Sequence, residues 1–269
     1  MLEVCGLSVT RHHRTLLNNI NVCFRPGELW VILGENGAGK STLLSAISGL
    51  TPYDGEVRFH QRGLDRWADK ALAQQRAFMQ QQHALPFGFS LPELVAMGRT
   101  PHDETADHRW QQALHYLEAL QLLNLTDRHT DNLSGGELQR VHFARCLTQV
   151  NGLSDDCQGR LLLLDEPTSA LDLHHQHRVL NHTRTFVDKG NTAVVILHDL
   201  NLASCYADHI MLLKQGELLA MGSTAEVLTQ NTLMDAYHTP MHISQHPTLN
   251  RPIIFSEPQE YPYAKNGTE

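Results

Sequence analysis

The chain reads Gly34-Glu35-Asn36-Gly37-Ala38-Gly39-Lys40-Ser41 between an apolar, strand-like run at residues 29–33 and a helical pattern that ends at Gly49. The glycines let backbone N–H groups turn towards an anion, and the start of a helix adds a favourable dipole. In this context the stretch predicts a phosphate-binding loop. We expect residues 34–42, which end in Thr42, to bind ATP, with Lys40 on the β- and γ-phosphate oxygens and Ser41 on Mg²⁺.

A second stretch delivers two carboxylates. The run from Leu161 to Leu164 is continuous and apolar, as expected for a strand buried on both faces of a parallel sheet, and Asp165-Glu166 follows it directly. Ligands of open α/β sheets bind at the carboxyl ends of the strands. We therefore expect Asp165 to join the Mg²⁺ shell and Glu166 to polarise the attacking water.

The remaining patterns predict an α/β chain with a helical insert. Short β-branched runs predict strands before residue 57, whereas residues 90–150 carry helical spacing. A crossover helix ending near Gly190 and a hairpin around residues 211–220 are predicted to follow. We therefore predict an ATP-binding core with an N-terminal β subdomain at 1–86 and 155–230, a helical subdomain at 87–154 and an extended C-terminal tail at 231–269.

Composition excludes several classes of protein. With 41% hydrophobic residues, 19% charged residues and a formal net charge of -8, the chain is typical of globular proteins and unlike proteins that coat nucleic acid. No apolar run approaches the roughly 20 residues that cross a bilayer, and the N-terminus lacks the pattern of a secretory signal. We therefore expect a cytosolic chain whose five scattered cysteines pack as reduced thiols.

A cluster of histidines lies at 174, 175 and 177, in a chain that has 18 histidines. Ligation of a metal or of haem by these side chains is conceivable. No paired set of ligands at metal spacing faces them, so a solvated start of a helix is the better interpretation.

The segment Leu133-Ser134-Gly135-Gly136-Glu137 precedes an apolar helical run, and Ser134 and Glu137 are spaced for a capping box. Together with residues 34–41 and Asp165-Glu166, in this order, the segment resembles the nucleotide-binding subunit of ATP-binding-cassette (ABC) transporters. The resemblance covers nearly the whole chain. It implies a RecA-like P-loop NTPase core, an antiparallel β subdomain and an inserted helical subdomain.

The same resemblance implies roles for single residues. Residues 134–137, here called the signature segment, would contact the γ-phosphate of ATP held by the opposite subunit, so that a homodimer sandwiches two nucleotides. Gln81 would sense Mg²⁺ and take part in catalysis, with the register open by one because glutamines also flank it. His198 would contact the γ-phosphate, and Asp172 would lie in the loop, residues 169–172, that crosses to the partner site.

The chain departs from the family's pattern where the base should bind. The family stacks adenine on an aromatic side chain near the first strand turn, and the segment here reads Thr10-Arg11-His12-His13. Arg11 could contact the base by cation–π or planar stacking, and His12 or His13 could do so less strongly. The sequence leaves these alternatives open.

Local details resemble, within the family, the haem (hemin) importer ATPases of bacteria. They are the segments Met97 to His102, Leu171 to His177, Leu197 to Leu202 and Tyr206 to Asp208, together with a polar link from Asn151 to Gly159. This resemblance implies an ATPase that converts ATP and water to ADP and phosphate at the cytoplasmic face of the inner membrane. Its partners would be two copies of a membrane permease and, indirectly, a periplasmic substrate-binding protein.

Other readings of the chain remain as alternatives. The same subunit could serve a ferric-siderophore or cobalamin importer, in which case only the cargo differs. A soluble, non-transport ABC ATPase that clamps nucleic acid or ribosomes predicts a second cassette, coiled-coil heptads or a basic stripe, and the sequence contains none of them. Coupling to a permease is expected around residues 81–97, where the apolar segment 86–89 could receive the permease or pack inside the lobe.

Overall fold

The computed structural model describes residues 1–81, 88–150 and 158–257. Its strands are β1 (Leu2–Arg11), β2 (Arg14–Phe24), β3 (Leu29–Leu33), β4 (Asp54–Phe59), β5 (Arg62–Gly63), β6 (Arg76–Met79), β7 (Leu161–Asp165), β8 (Thr192–Ile196), β9 (His209–Lys214), β10 (Glu217–Ser223), β11 (Met241–Gln245) and β12 (Pro252–Ser256). Its α-helices are α1 (Lys40–Ile47), α2 (Asp69–Gln75), α3 (Leu91–Ala96), α4 (Ala106–Ala119), α5 (Gly135–Val150), α6 (Leu173–Asp188), α7 (Leu200–Tyr206), α8 (Thr224–Val227) and α9 (Gln230–Tyr237).

A six-stranded sheet in the order β10-β9-β3-β8-β7-β6 forms the centre of the chain. Neighbouring strands from β9 to β6 run parallel, and β10 pairs with β9 in the antiparallel direction. Every residue of β3, β7 and β8 is buried, as predicted for strands covered on both faces. Because β3, β8 and β7 are adjacent, the loops that follow them meet at one edge of the sheet.

Side chains of β3 alternate between two hydrophobic cores, as the two-residue period of a strand requires. Trp30 and Ile32 point into a core shared with α1 and with the sheet β2-β1-β4-β5. Leu29, Val31 and Leu33 point into a second core shared with the helices on the other face. The antiparallel sheet is the N-terminal β subdomain that the sequence predicted.

The insert between β6 and β7 is helical, as its spacing predicted. Helix α3 begins with a capping box in which Ser90 N donates to Glu93 Oε2 over 2.8 Å. Helices α3, α4 and α5 pack on one another, and Phe89 packs partly buried against the same core. Phe89 therefore lies inside the lobe, while residues 82–87 and most of the link at 151–159 lie outside the described residues.

The prediction of an extended tail from residue 231 onward is wrong for residues 231–256. Helix α9 and the hairpin of β11 and β12 occupy this part of the chain. The hairpin is fixed to α7 because the Asn201 side chain accepts from Ile254 N over 2.8 Å and donates to Ile254 O over 3.1 Å. These bonds join residues 53 positions apart, so no local sequence pattern reports them.

Across residues 1–81, 88–150 and 158–257, no helix combines the length and the apolar character needed to cross a membrane.

Candidate active site

The loop at residues 34–39 adopts backbone angles that require glycine. The backbone φ angles of Gly34, Gly37 and Gly39 are 144°, 83° and 100°. Residues that carry a Cβ rarely adopt such angles. A Cβ on Gly39 would lie 2.7 Å from Leu17 Cδ2, and one on Gly34 would lie 2.3 Å from Leu213 O. The loop therefore passes between β2 and β9 at a distance that other residues would not allow.

Lys40 is the first residue of α1 and is only 6% exposed. Its Nζ donates to Gly34 O over 2.7 Å and to Glu35 O over 3.0 Å, so the side chain arches back across the loop. Burial lowers the pKa of Lys40, although the nearby carboxylates Glu166 and Asp165 oppose this shift. An ammonium group in this position is suited to an anion that binds between loop and helix.

Ser41 and Asp165 bring two oxygen ligands together. Ser41 Oγ donates to Asp165 Oδ1 over 3.1 Å, which joins the start of α1 to the end of β7. Burial raises the pKa of Asp165, and the hydrogen bond from Ser41 partly offsets that rise. Hydroxyl and carboxylate oxygens are the donors that Mg²⁺ prefers, and this ion usually takes only one or two carboxylates from the protein. The pair therefore fits the ion that the sequence predicted.

Glu166 is held by two side chains from neighbouring strand ends. Gln81 Nε2 donates to Glu166 Oε2 over 2.6 Å, and His198 Nε2 lies 2.5 Å from Glu166 Oε1. Gln81 follows β6 and His198 follows β8, so the parallel sheet places both beside Glu166 at the end of β7. Of the two consecutive glutamines that the structure describes here, 80 and 81, it is Gln81 that makes this contact.

An open cavity of about 690 Å³ unites the predicted residues. Its walls include Asn36, Gly37, Gly39, Lys40, Ser41, Thr42, Gln81, Glu166 and His198. An adjoining cavity of about 400 Å³ is lined by Glu35 and Ala38 of the same loop and by Lys214 and Gln215. The volume and the mixture of basic, acidic and backbone groups are sufficient for a nucleotide.

The structure points to Arg14 as the base-contacting candidate, a residue that the sequence reasoning missed. Arg11, His12 and His13 are exposed, and His12 and His13 form the tight turn between β1 and β2 with φ of 49° and 61°. Arg14 lines both cavities beside the loop, together with Leu16. The cavity walls include Arg14 and not Arg11, and this proximity of Arg14 to the loop is not visible in the sequence.

The signature segment lies apart from this cavity. Ser134, Gly135, Gly136 and Glu137 line a separate open pocket with Asp172 and His175. Ser134 N donates to Glu137 Oε2 over 2.7 Å and Glu137 N donates to Ser134 Oγ over 3.3 Å, so the predicted capping box is present. Asp172 Oδ1 accepts from His175 N over 2.9 Å and caps α6. One chain therefore does not bring its own signature segment to its own phosphate-binding loop.

The sequence reasoning also missed Gln139 and Tyr237. Gln139 Nε2 donates to Glu166 O over 2.6 Å. Gly34 N donates to Tyr237 Oη over 3.1 Å, and burial raises the pKa of Tyr237 to about 12. Helical spacing could have revealed Gln139, since residues 136 and 139 lie on one face of a helix. Tyr237 belongs to a segment whose pattern gave no signal.

The histidine cluster is held by local contacts. His175 Nδ1 lies 2.8 Å from Asp172 Oδ1, and His177 Nδ1 lies 2.8 Å from Tyr206 Oη. Within the described part of the chain, no group of three or more His, Cys, Asp or Glu side chains is arranged to hold a metal ion. His174 is exposed, whereas His175 and His177 are partly buried, so only part of the predicted solvated helix start faces solvent.

Comparisons with known proteins agree with this geometry. The family model described as "ABC transporter" matches residues 17–169. The hemin import ATP-binding protein HmuV of Idiomarina loihiensis is 42% identical over 259 residues, which are 96% of this chain and 98% of that protein. The protein of the same name from Pseudomonas aeruginosa is 42% identical over 255 residues, 94% of this chain and 99% of its own length.

Solved structures show the same fold. A chain of an inward-facing ABC transporter assigned to the metal-chelate type has a TM-score of 0.78 at 28% identity and covers 96% of this chain and 98% of its own. A dimeric ATP-binding cassette in a post-hydrolysis state, bound to ADP and Pi, has a TM-score of 0.72 at 26% identity and covers 83% of this chain and 98% of its own. The α/β architecture predicted from the sequence is confirmed.

Proposed function

The chain belongs to the ABC transporter family, and we propose that it is the ATP-hydrolysing subunit of an importer that takes up haem (hemin). The observation that supports ATP hydrolysis is the position of Glu166. Gln81 and His198 hold its carboxylate at the wall of the cavity that the phosphate-binding loop also lines. A carboxylate fixed beside a phosphate site is the group that a water nucleophile requires.

The residues of this chain divide the work of hydrolysis. When ATP binds, the ammonium group of Lys40 donates to phosphate oxygens in place of the carbonyl oxygens of Gly34 and Glu35. This contact neutralises part of the negative charge of the phosphates. Glu166 orients the attacking water and accepts its proton, while His198 donates a hydrogen bond to the γ-phosphate. When Mg²⁺ is bound, it draws charge from the phosphate oxygens, and Ser41, Asp165 and Gln81 are the residues that would hold it.

Arg14 is the residue that we assign to the base. Its side chain lines both cavities beside the loop and is exposed, so its guanidinium can lie flat against an adenine ring. The same contact would be available to guanine, because stacking reads the face of a base and not its edge. The chain should therefore discriminate weakly between ATP and GTP.

Two copies of the chain are needed to complete each site. The signature segment lies in its own pocket, away from the phosphate-binding loop, and its capped helix start suits an anion supplied by another chain. Similarity to a dimeric cassette supports this arrangement. The ATP-binding core at 1–86 and 155–230 and the helical subdomain at 87–154 would then lie on opposite sides of each nucleotide.

We infer the cargo and the membrane partners from the relatives. Proteins named for hemin import share 42% of their residues with this chain over nearly its whole length, and a similar solved structure belongs to an inward-facing transporter assigned to the metal-chelate type. We therefore assign the chain to the cytoplasmic face of the inner membrane, bound to two copies of a permease. A periplasmic substrate-binding protein would deliver haem to that permease.

The ATPase assignment is tested with two variants of the full chain. Lys40→Ala should abolish ATP binding, because it removes the buried ammonium group. Glu166→Gln should bind ATP but lower kcat by at least about 100-fold and accumulate as a closed dimer, since the nucleophile is no longer activated. Hydrolysis by Glu166→Gln at the rate of the parent would contradict the role of Glu166.

The cargo assignment needs a separate measurement. The chain is reconstituted with its permease and its substrate-binding protein in proteoliposomes, and ATP hydrolysis is measured with haem, a ferric siderophore or cobalamin. Stimulation of the ATPase by haem and not by the other two compounds is expected. Stimulation by a ferric siderophore or by cobalamin instead would retain the ATPase and replace the cargo.

A further inference from the structure

The side-chain amide of Gln139 joins helix α5 to the loop that carries Glu166. Its Nε2 donates to Glu166 O over 2.6 Å and to Ser169 Oγ over 3.2 Å. Its Oε1 accepts from Ala170 N over 3.1 Å. One amide thus binds both a backbone carbonyl and a backbone N–H of residues 166–170, so it fixes the loop at two points.

The backbone of Glu166 needs such support. Its φ is 50°, which places a residue with a long side chain in the left-handed region that glycine favours. Backbone conformations of this kind persist where the surroundings hold them. Ser169 N and Ser169 Oγ also donate to Glu166 O, over 3.3 Å and 3.2 Å, so the bond from Gln139 is the shortest of the three.

A second contact ties the signature segment to the same loop. A Cβ on Gly136 would lie 2.6 Å from Ala170 O and 3.3 Å from Leu171 Cδ2. The first turn of α5 therefore rests directly on the backbone of residues 170 and 171. Any displacement of the signature segment must move this loop or break the contact.

We propose that Gln139 is a positioning residue that links the signature segment, which completes the ATP site of the partner chain, to Glu166, which acts in the ATP site of its own chain. The inference rests on the proposed function, because it requires a dimer with composite sites. Through Gln139, closure of the signature segment on the ATP of the partner chain would set the position of Glu166 in the ATP site of its own chain. Gln139 does not touch the nucleotide and acts through the backbone of Glu166.

The test compares Gln139→Met with a matched variant on the same helix. Methionine keeps the length of the side chain and removes both hydrogen-bonding atoms. The control is Gln149→Met, because Gln149 Nε2 also donates to two backbone carbonyl oxygens, Ala73 O over 2.8 Å and Arg76 O over 2.9 Å, far from Glu166 along α5. Both variants are measured as full chains for kcat, for KM, for the Kd of ATP and for thermal stability.

Gln139→Met should lower kcat by at least about 10-fold, because a misplaced catalytic group has effects of this size. The Kd for ATP should stay within about twofold, as Lys40 and the loop are unchanged, and the Hill coefficient for ATP should fall towards 1. Gln149→Met should retain kcat and the Hill coefficient. If Gln139 has a purely structural role, Gln139→Met should lower thermal stability without lowering kcat selectively relative to the Kd for ATP.

Gln139→Glu provides a second variant in case Gln139→Met does not fold. It keeps an acceptor for Ala170 N and removes the donor to Glu166 O, so kcat should fall here as well. Retention of the parent kcat by either folded variant would overturn the inference. If the parent chain itself hydrolyses no ATP, the proposed function fails; if the parent is active and Gln139→Met behaves like Gln149→Met, only the inference fails.

Mixed dimers locate the effect. When one chain carries Lys40→Ala, the other chain alone binds ATP and supplies the working Glu166. Gln139→Met in the ATP-binding chain should lower turnover as much as it does in the homodimer. A loss that appears only when Gln139→Met lies in the Lys40→Ala chain would overturn the link to Glu166.

Discussion

At the scale of single residues, the stability of the empty site and the binding of Mg²⁺ favour opposite protonation states of Asp165. Burial raises the pKa of its carboxyl group, and the adjacent Glu166 adds to that rise. Binding of Mg²⁺ needs the ionised carboxylate, so a group that stabilises the loaded site destabilises the empty one. Functional groups often cost stability in this way.

Asp165→Asn should therefore raise the Tm of the ATP-free protein near pH 7. A gain of up to about 1 kcal/mol in the free energy of unfolding corresponds to a rise of about 1–4 °C in a chain of this size. The folded protein retains the proton to higher pH than the unfolded chain, so the parent loses stability as pH rises through the raised pKa. The variant lacks this loss. The difference in Tm should be absent below about pH 4, where the unfolded carboxyl is protonated too, and should grow above it.

Thermal scans from about pH 3 to about pH 8, with and without Mg-ATP, measure this difference in Tm. Stabilisation by Mg-ATP should be smaller in Asp165→Asn than in the parent. The control is Asp208→Asn, which removes the partner of Arg184 Nη1 at 2.6 Å and should lower Tm. A variant Asp165→Asn that is less stable than the ATP-free parent at every pH would contradict the prediction.

Most of the site residues were predictable because their chemistry is local. Lys40 and Ser41 belong to one loop, and Asp165 ends an apolar run. The choice of Gln81 among three glutamines was not local, since it depends on where β6 ends and on which side chain then meets Glu166. Arg14 was missed for a similar reason, as only the folded chain brings it beside the loop.

At the scale of secondary-structure elements, α9 supports the phosphate-binding loop from the far end of the chain. Tyr237 Oη accepts from Gly34 N over 3.1 Å, and Lys214 Nζ donates to Asp235 O over 2.6 Å. Only Leu233 and Ala236 of this helix are buried, so its hydrophobic pattern is weak. The sequence could not reveal it, because contacts with distant residues stabilise short helices more than their own propensity does.

Tyr237→Phe should weaken ATP binding by up to about 10-fold, because Gly34 N loses its acceptor and the loop is held less firmly. Titration of ATP into the full chain measures the effect. Tyr206→Phe serves as the control, since it removes a hydroxyl that contacts His177 and Asn181 on α6, and it should leave the Kd for ATP unchanged. Equal losses of ATP affinity in the two variants would mean that Tyr237 acts through general stability alone.

At the scale of the whole molecule, the proposed dimer gives each chain parts of two different sites. Its cavity is lined by the phosphate-binding loop, Gln81, Glu166 and His198, whereas its signature segment lines a separate pocket. Symmetric dimers exchange such parts reciprocally. Activity should therefore depend on the pairing of chains as well as on each chain.

Ser134→Arg should abolish hydrolysis in the homodimer and leave ATP binding by the single chain unchanged, because Ser134 acts on the ATP of the partner. Mixing it with an equal amount of Lys40→Ala should restore up to about a quarter of the parent rate, since half of the dimers then contain one intact site of two. The restored rate should rise with protein concentration. Absence of any restored activity, or a rate independent of concentration, would contradict the composite site.

The position of β3 in the sheet has a consequence for synthesis of the chain. This strand leads into the phosphate-binding loop, but its neighbours are β8 at Thr192–Ile196 and β9 at His209–Lys214. A growing chain therefore exposes the apolar β3 until β8 and β9 have been translated, and long-range pairings of this kind form slowly. The phosphate-binding loop therefore leaves the ribosome before the two strands that flank β3, and its binding site can form only after both have been made.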